Sequence, residues 1–182
     1  MTFTTSSSTG SFGHRGGYCN LNQGEDEHGR GRDRTTCSIF YTESSAGTFT
    51  ITASYSGDFA NLPSSGSTPV TFAKASTSTQ VSCGEHQGHG QPIVCTATVE
   101  GDGSPTGTIS WSTTSSTGSF SPTSRQCTLS PHQGGGRDEG DSGASCTIQY
   151  SDSSSTSAKI TAAYSGDPNN TASVGTTSVA FR

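Results

Sequence analysis

The chain has 182 residues, of which only 26% are hydrophobic and 13% charged, while more than a third are Ser or Thr and 24 are Gly. A net charge of -5, with 9 basic against 14 acidic residues, excludes the Lys/Arg surplus that a phosphate-neutralising nucleic-acid binder needs. No apolar run approaches the roughly 20 residues of a bilayer-spanning helix, and the polar N-terminus has no signal-peptide core, so Met1 is not expected to start a secreted precursor.

Such a composition suits disorder unless the few apolar residues are regularly placed, and here they are. The chain opens on MTFTTSSSTGSF, which sets Phe3, Gly10 and Phe12, and Cys19 follows. After the loop NLNQGEDEHGRGRDRTT come Cys37, Ile39 and Tyr41 on alternate positions, then ITASYSGD (Ile51 to Asp58) and PVTF, ending at Phe72. From Thr79 onward the same-parity sets are Thr79, Val81, Cys83; Ile93, Cys95, Ala97, Val99; Ile109, Trp111; Cys127, Leu129; Cys146, Ile148, Tyr150; Ile160, Ala162, Tyr164; and Val179, Phe181. Each set lines one face of a strand, because side chains alternate across a strand with a period of two. Seven short strands separated by Gly/Ser/Pro/Asp turns predict a two-sheet antiparallel sandwich, and no segment carries a helical period.

The chain also repeats itself. Phe3 falls on Trp111, Gly10 on Gly118, Phe12 on Phe120 and Cys19 on Cys127, all 108 residues apart. Beyond the next loop the spacing is 109: Cys37 on Cys146, Ile39 on Ile148, Tyr41 on Tyr150, ITASYSGD on ITAAYSGD, and Phe72 on Phe181. Self-similarity at a long fixed period signals an array of one structural unit.

TSTQVSC, PIVCTATV, SPTGTISWS, GSFSP, QCTLS, ASCTIQYS and ITAAYSGD, in that order, resemble the bacterial and archaeal Ig-like repeat domains strung along large surface and secreted proteins. The resemblance covers the second copy almost end to end and the first from Phe3. It implies an all-β chain of tandem immunoglobulin-like antiparallel β-sandwiches. Residues 1–73 are then an incomplete repeat with the equivalents of strands C to G, lacking its two N-terminal strands, and residues 74–182 a complete seven-stranded repeat. Ile39, Tyr41, Ile51 and Tyr55 are expected to lack cover, since losing two strands uncovers a sheet edge and part of the core.

Six cysteines in such a sequence point to disulfides and an oxidising compartment, extracellular or at a cell surface. Four in the second copy allow three pairings. The first copy retains only Cys19 and Cys37, counterparts of Cys127 and Cys146, so the self-consistent set is Cys19 with Cys37, Cys127 with Cys146, and Cys83 with Cys95. Local loops of this size contribute about 3 kcal/mol each when closed.

Functional chemistry concentrates in the loops between paired cysteines, where the chain departs from the short connections of the resemblance. EHQGH (Glu85 to His89) places His86 and His89 three residues apart, a weak metal-ligand candidate outweighed by solvated loop histidines. The acidic runs around Glu25 and Asp138 lack the D-x-D-x-D-G spacing of a calcium cage, and no cofactor is expected. Gly140 to Gly143 spell GDSG, but the corresponding ITAAY segment has Tyr164 in place of a histidine and follows the serine, so the chain reads as no enzyme. Lys74 in the linker and outward Lys159 offer no lysine placed for an intramolecular Lys–Asn bond. Asn169, in NNT, is the one N-glycosylation sequon.

The reading is therefore a structural extracellular protein, an Ig-like segment of a cell-surface stalk or filament subunit. Either it is a fragment of a longer array, or neighbouring subunits supply the missing strands by β-strand complementation, making self-association the expected partnership. The alternative is an adhesin or glycan-binding module whose loop residues Arg15, Tyr18, His28 and Arg30 contact a cell-surface or glycan partner.

Overall fold

The structure is a computed structural model that describes residues 1–13, 16–23, 35–85, 90–102, 104–131, 143–153 and 157–181. Among them there is no helix; every strand pair is antiparallel, and the chain divides into two units, Met1–Ala73 and Lys74–Arg182.

Unit 1 contains β1 (Thr2–Thr5), β2 (Ser11–Phe12), β3 (Asn22–Gln23), β4 (Thr35–Thr36), β5 (Tyr41–Thr42), β6 (Gly47–Tyr55) and β7 (Ser64–Phe72). Its main sheet runs β1-β6-β7, and β2-β5 and β3-β4 form separate two-stranded ladders.

Unit 2 contains β8 (Ser78–Cys83), β9 (Ile93–Glu100), β10 (Thr108–Thr113), β11 (Gly118–Ser121), β12 (Gln126–Thr128), β13 (Ser130–Pro131), β14 (Gly143–Asp152), β15 (Ser157–Tyr164) and β16 (Ser173–Ala180). One sheet has the order β11-β14-β9-β8, with β13 also on β14, and the other β12-β10-β15-β16. Alternation decides their faces. Along β9, Ile93, Cys95, Ala97 and Val99 are buried; along β14, Ala144, Cys146, Ile148 and Tyr150; along β15, Ala158, Ile160, Ala162 and Tyr164. Inward residues of both sheets join one cluster with Trp111 and Phe120, so the sheets pack in a sandwich-like manner.

Nine strands among the described residues of unit 2 exceed the seven read from the sequence. The additional ones are β11 and β13, and neither carries enough apolar residues for alternation to show in the sequence. Phe120 is the single buried residue of β11, and both residues of β13 are exposed, so no period-two pattern marks either.

The two units differ in what they bury. All 18 residues of the hydrophobic core lie between Ile93 and Phe181. Unit 1 buries no hydrophobic side chain among its described residues, and Phe40, Phe59 and Leu62 stand 84%, 104% and 88% exposed. Ile39, Tyr41, Ile51 and Tyr55 are only half-buried, whereas their counterparts Ile148, Tyr150, Ile160 and Tyr164 are buried. Truncating Ile160 to Ala should cost about 2–5 kcal/mol, since it deletes fully buried methyls and leaves a cavity. Ile51→Ala should cost less than about half of that, because water already reaches its site. Urea unfolding of the two variants, followed by unit-resolved amide exchange, checks the difference.

Candidate functional site

The residues matched by the repeat make the same contacts twice. In unit 2 a chain of rings runs from Trp111 to Phe120 (6.5 Å between centroids), Tyr150 (5.0 Å) and Phe181 (6.1 Å). In unit 1 it runs from Phe3 to Phe12 (6.3 Å), Tyr41 (5.1 Å) and Phe72 (5.9 Å). β1 meets β6 with Phe3 opposite Ala53, as β10 meets β15 with Trp111 opposite Ala162. Tilted ring pairs at these separations each add about 0.5–1.5 kcal/mol beyond area burial.

A polar cap closes each ring chain at its tyrosine. Tyr150 donates its hydroxyl proton to Asp152 (2.8 Å), which also accepts from Thr117 (2.6 Å), and Thr113 lies 3.1 Å from the same hydroxyl. Tyr41 likewise donates to Glu43 (2.7 Å), Thr9 donates to the other carboxylate oxygen (2.5 Å), and Thr5 lies 3.0 Å from the hydroxyl. Asp152 is buried and Glu43 only half-buried. Partial burial of Glu43 pushes its pKa upward, but hydrogen bonds from Ser7, Thr9, Tyr41 and Ser45 outweigh that and hold it near 2 against an ordinary 4.5.

The YSGD segments form matching turns. Asp58 accepts the hydroxyl of Tyr55 (2.6 Å) and the backbone amides of Ala60 and Asn61 (2.8 Å each); Asp167 accepts Tyr164 (2.9 Å) and the amides of Asn169 and Asn170 (2.8 Å each). Gly57 and Gly166 both have φ of 82°, a left-handed conformation that glycine adopts without a Cβ penalty. In unit 2 the turn receives more: Thr106, on the connection from β9 to β10, donates its backbone N–H and hydroxyl to Asp167 (2.9 Å each). Asp58 has no donor of that kind among the described residues. The Tyr55 hydrogen bond, followed by the Ala60 amide and Asn61, lowers Asp58 to about 2. Burial and the Asp167 hydrogen bond push Tyr164 up to about 12.

What unit 1 presents where unit 2 is covered is an open apolar groove of about 480 Å³, lined by Met1, Phe3, Ile51, Ala53 and the stretch from Ser64 to Thr68. Gly66 lies in the middle of that stretch. A Cβ on its counterpart Gly175 would collide with the backbone oxygen of Thr79 on β8, so glycine there permits the close approach of another strand. A Cβ on Gly66 would meet nothing within 4 Å. Alternation marks neither glycine, nor Glu43 and Asp152, although the four stand at matched positions of the repeat; Thr106 lies outside the matched stretches.

The cysteines form Cys19–Cys37, Cys83–Cys95 and Cys127–Cys146, with none free. Trp111 donates its indole N–H to Sγ of Cys127 at 3.1 Å. Asn169 is half-buried, and its carbonyl accepts the amide of Ala75 (2.8 Å). Lys74, read as part of a linker, is tied into unit 2 by donating to the carbonyl of Asp167, while Lys159 is exposed as its parity requires. Tyr18 is 64% exposed. Arg15, His28, Arg30, His86 and His89 lie outside the described residues, as do the acidic loops and residues 140–142 of GDSG. No group of three or more potential metal ligands occurs among the described residues.

No protein-family model, curated protein or solved structure matches the chain.

Glu43 and Asp58, held by several hydrogen bonds each, should make unit 1 acid-sensitive. Both have folded pKa values below their ordinary values of 4.5 and 3.8, so their stabilisation is complete above those values and is lost as pH falls toward 2. Protection factors of unit 1, exchange rates divided into their intrinsic values at each pH, should be constant from neutral pH to about 5 and fall below it. Glu43→Gln should shrink that acid-specific change.

Proposed function

We propose that the chain is a structural segment of an extracellular array, built from immunoglobulin-like repeats and serving as part of a cell-surface stalk or filament subunit. The observation that carries this reading is the duplication of one frame: ring chain, carboxylate cap and YSGD turn recur in both units with centroid distances that agree within a few tenths of an ångström. Units that repeat a frame while varying their loops are suited to spanning distance, because each added unit contributes length.

The cysteine chemistry supports the same reading. Three disulfides and no free thiol belong to an oxidising, non-cytoplasmic compartment, and no helix among the described residues is long and apolar enough to cross a membrane. Cys83–Cys95 and Cys127–Cys146 lie at sequence separations of 12 and 19 and shorten the length that a pulled chain releases. The open groove of unit 1 suits it to receive a further strand by β-augmentation.

Single-molecule pulling tests the load-bearing role. Oxidised unit 2 should unfold in a discrete force peak. Reduction should add about 100 Å of contour length at about 3.5 Å per freed residue of the two loops. Extension of unit 2 without a force peak would remove the structural reading.

A further inference from the structure

We infer that β6 of unit 1 is a self-recognition segment: once released from its sheet, residues 48–56 stack on the same residues of further copies of this chain as a cross-β fibre. The inference goes beyond the array reading and does not rest on it.

The segment's own sequence points to this partner. Between Glu43 and Asp58 the chain has no charged residue and no proline, and between Gly47 and Gly57 no glycine. The stretch reads TFTITASYS, rich in the β-branched and aromatic types that favour strands. Uncharged segments of about six or seven residues with high β-propensity, no Pro and few Gly carry the sequence signature of a cross-β stack. Alternation gives this one two unlike faces, Phe49, Ile51, Ala53 and Tyr55 on one and Thr48, Thr50, Thr52 and Ser54 on the other. In an in-register stack each side chain meets its own kind at a repeat of about 4.7–4.8 Å, so rings lie on rings and hydroxyls on hydroxyls. The folded sheet shows that hydroxyls of this face bond in pairs across a ladder, Thr48 with Thr71 and Thr52 with Ser67, each at 2.9 Å.

Unit 2 carries the same strand with one difference that bears on stacking. The counterpart of residues 48–56 is residues 157–165, SAKITAAYS, in which Lys159 stands where unit 1 has Thr50. Both side chains are exposed. Stacked in register, Lys159 would set like charges about 4.7–4.8 Å apart along a fibre, which is repulsive, whereas Thr50 sets none. Charges on strands are among the devices by which natural sheets avoid pairing with one another. Unit 2 keeps that guard and also buries Ile160, Ala162 and Tyr164; on β6 the guard is absent and Ile51, Ala53 and Tyr55 are only half-buried.

In the folded unit the segment is shut in. β6 is the middle strand, paired with β7 from Gly47 opposite Phe72 to Tyr55 opposite Ser64, and with β1 from Ile51 to Ser54. The outer edge of β7 is blocked as well. Thr50 donates its N–H to Oγ of Ser6 (2.9 Å) and accepts the Ser6 amide (3.1 Å), so the nitrogen of Pro69, opposite Thr50, faces away from β6 and gives that edge no donor. Release needs no disulfide to break: residues 38–82 lie in no disulfide loop, because Cys19–Cys37 closes before them and Cys83–Cys95 opens after them. Residues 57–73, freed with the segment, extend to about 60 Å at about 3.3–3.6 Å per residue, a tether that lets unit 2 stay folded beside a stack.

The test warms the full oxidised chain until residues 47–55 lose amide protection, then follows thioflavin fluorescence and fibre diffraction. The expected product is a fibre with a meridional reflection at about 4.7–4.8 Å, in which unit 1 regains protection at residues 48–56. Thr50→Lys should cut the fibre yield by at least about tenfold, while exchange of its folded state stays that of the unaltered chain, since Lys159 occupies the same site in unit 2. Thr71→Lys, which puts the same charge on exposed β7 outside the segment, should leave the yield within about twofold. Each variant adds one positive charge and moves the net charge from -5 to -4, the direction that favours non-specific association. A general charge effect would therefore raise aggregation of both, and only stacking at position 50 lowers it for one. The inference is overturned by a chain that stays soluble or aggregates without the reflection after release, by protection regained elsewhere in unit 1, or by Thr50→Lys forming fibres as readily as the unaltered chain.

Discussion

An apolar sheet face in water must be covered by a second sheet, and among the described residues this chain satisfies that requirement in unit 2 and leaves it open in unit 1. In unit 2 the inward rows of β9, β14 and β15 meet, and Tyr150, Ile160 and Tyr164 lose contact with solvent. Unit 1 carries the same rings in the same order, yet Tyr41, Ile51 and Tyr55 remain half-exposed. The difference is one hairpin, β8 and β9. With so few hydrophobic residues in the chain, neither unit has spare apolar area with which to compensate for a missing layer.

What holds unit 1 in shape without that layer is local and polar. Its described carboxylates are engaged by neighbours close in sequence or across one ladder: Glu43 by Thr9 and Tyr41, Asp58 by Tyr55, Ala60 and Asn61. Ladders of hydroxyls run across the exposed faces, as Thr48 with Thr71 and Thr52 with Ser67. Hydrogen bonds of this kind contribute modestly each, but they need no second sheet. The Ser/Thr richness that made the composition look disordered is therefore the material of the fold's outer surface and of its caps.

The all-β class and the inward positions of unit 2 were legible because alternation is a period-two signal that survives a low hydrophobic content: Cys95, Ala97 and Val99 stand apart from Thr96, Thr98 and Glu100, with exposed Val94 the one apolar residue out of phase. The two short strands were not, since β11 offers one apolar residue and β13 none. The weight of the open face was only half legible. Uncovered rings could be anticipated from the self-alignment, whereas the close approach at Gly175 is a backbone contact that no side-chain pattern encodes. Polar partners such as Thr106 were hidden for a related reason: a threonine among dozens carries no mark until a carboxylate is found beside it.

Gly66 has one further consequence, and it concerns the unfolded chain. Glycine in mid-strand gives up more conformational freedom on folding than alanine would, a difference of about 0.5–1 kcal/mol, and within unit 1 no crowding requires it. Selection for the stability of this unit in isolation would therefore favour replacing it with alanine. A position that lowers the stability of its own unit and leaves open space above its strand ties the sequence of unit 1 to the shape of a backbone that could pass over it.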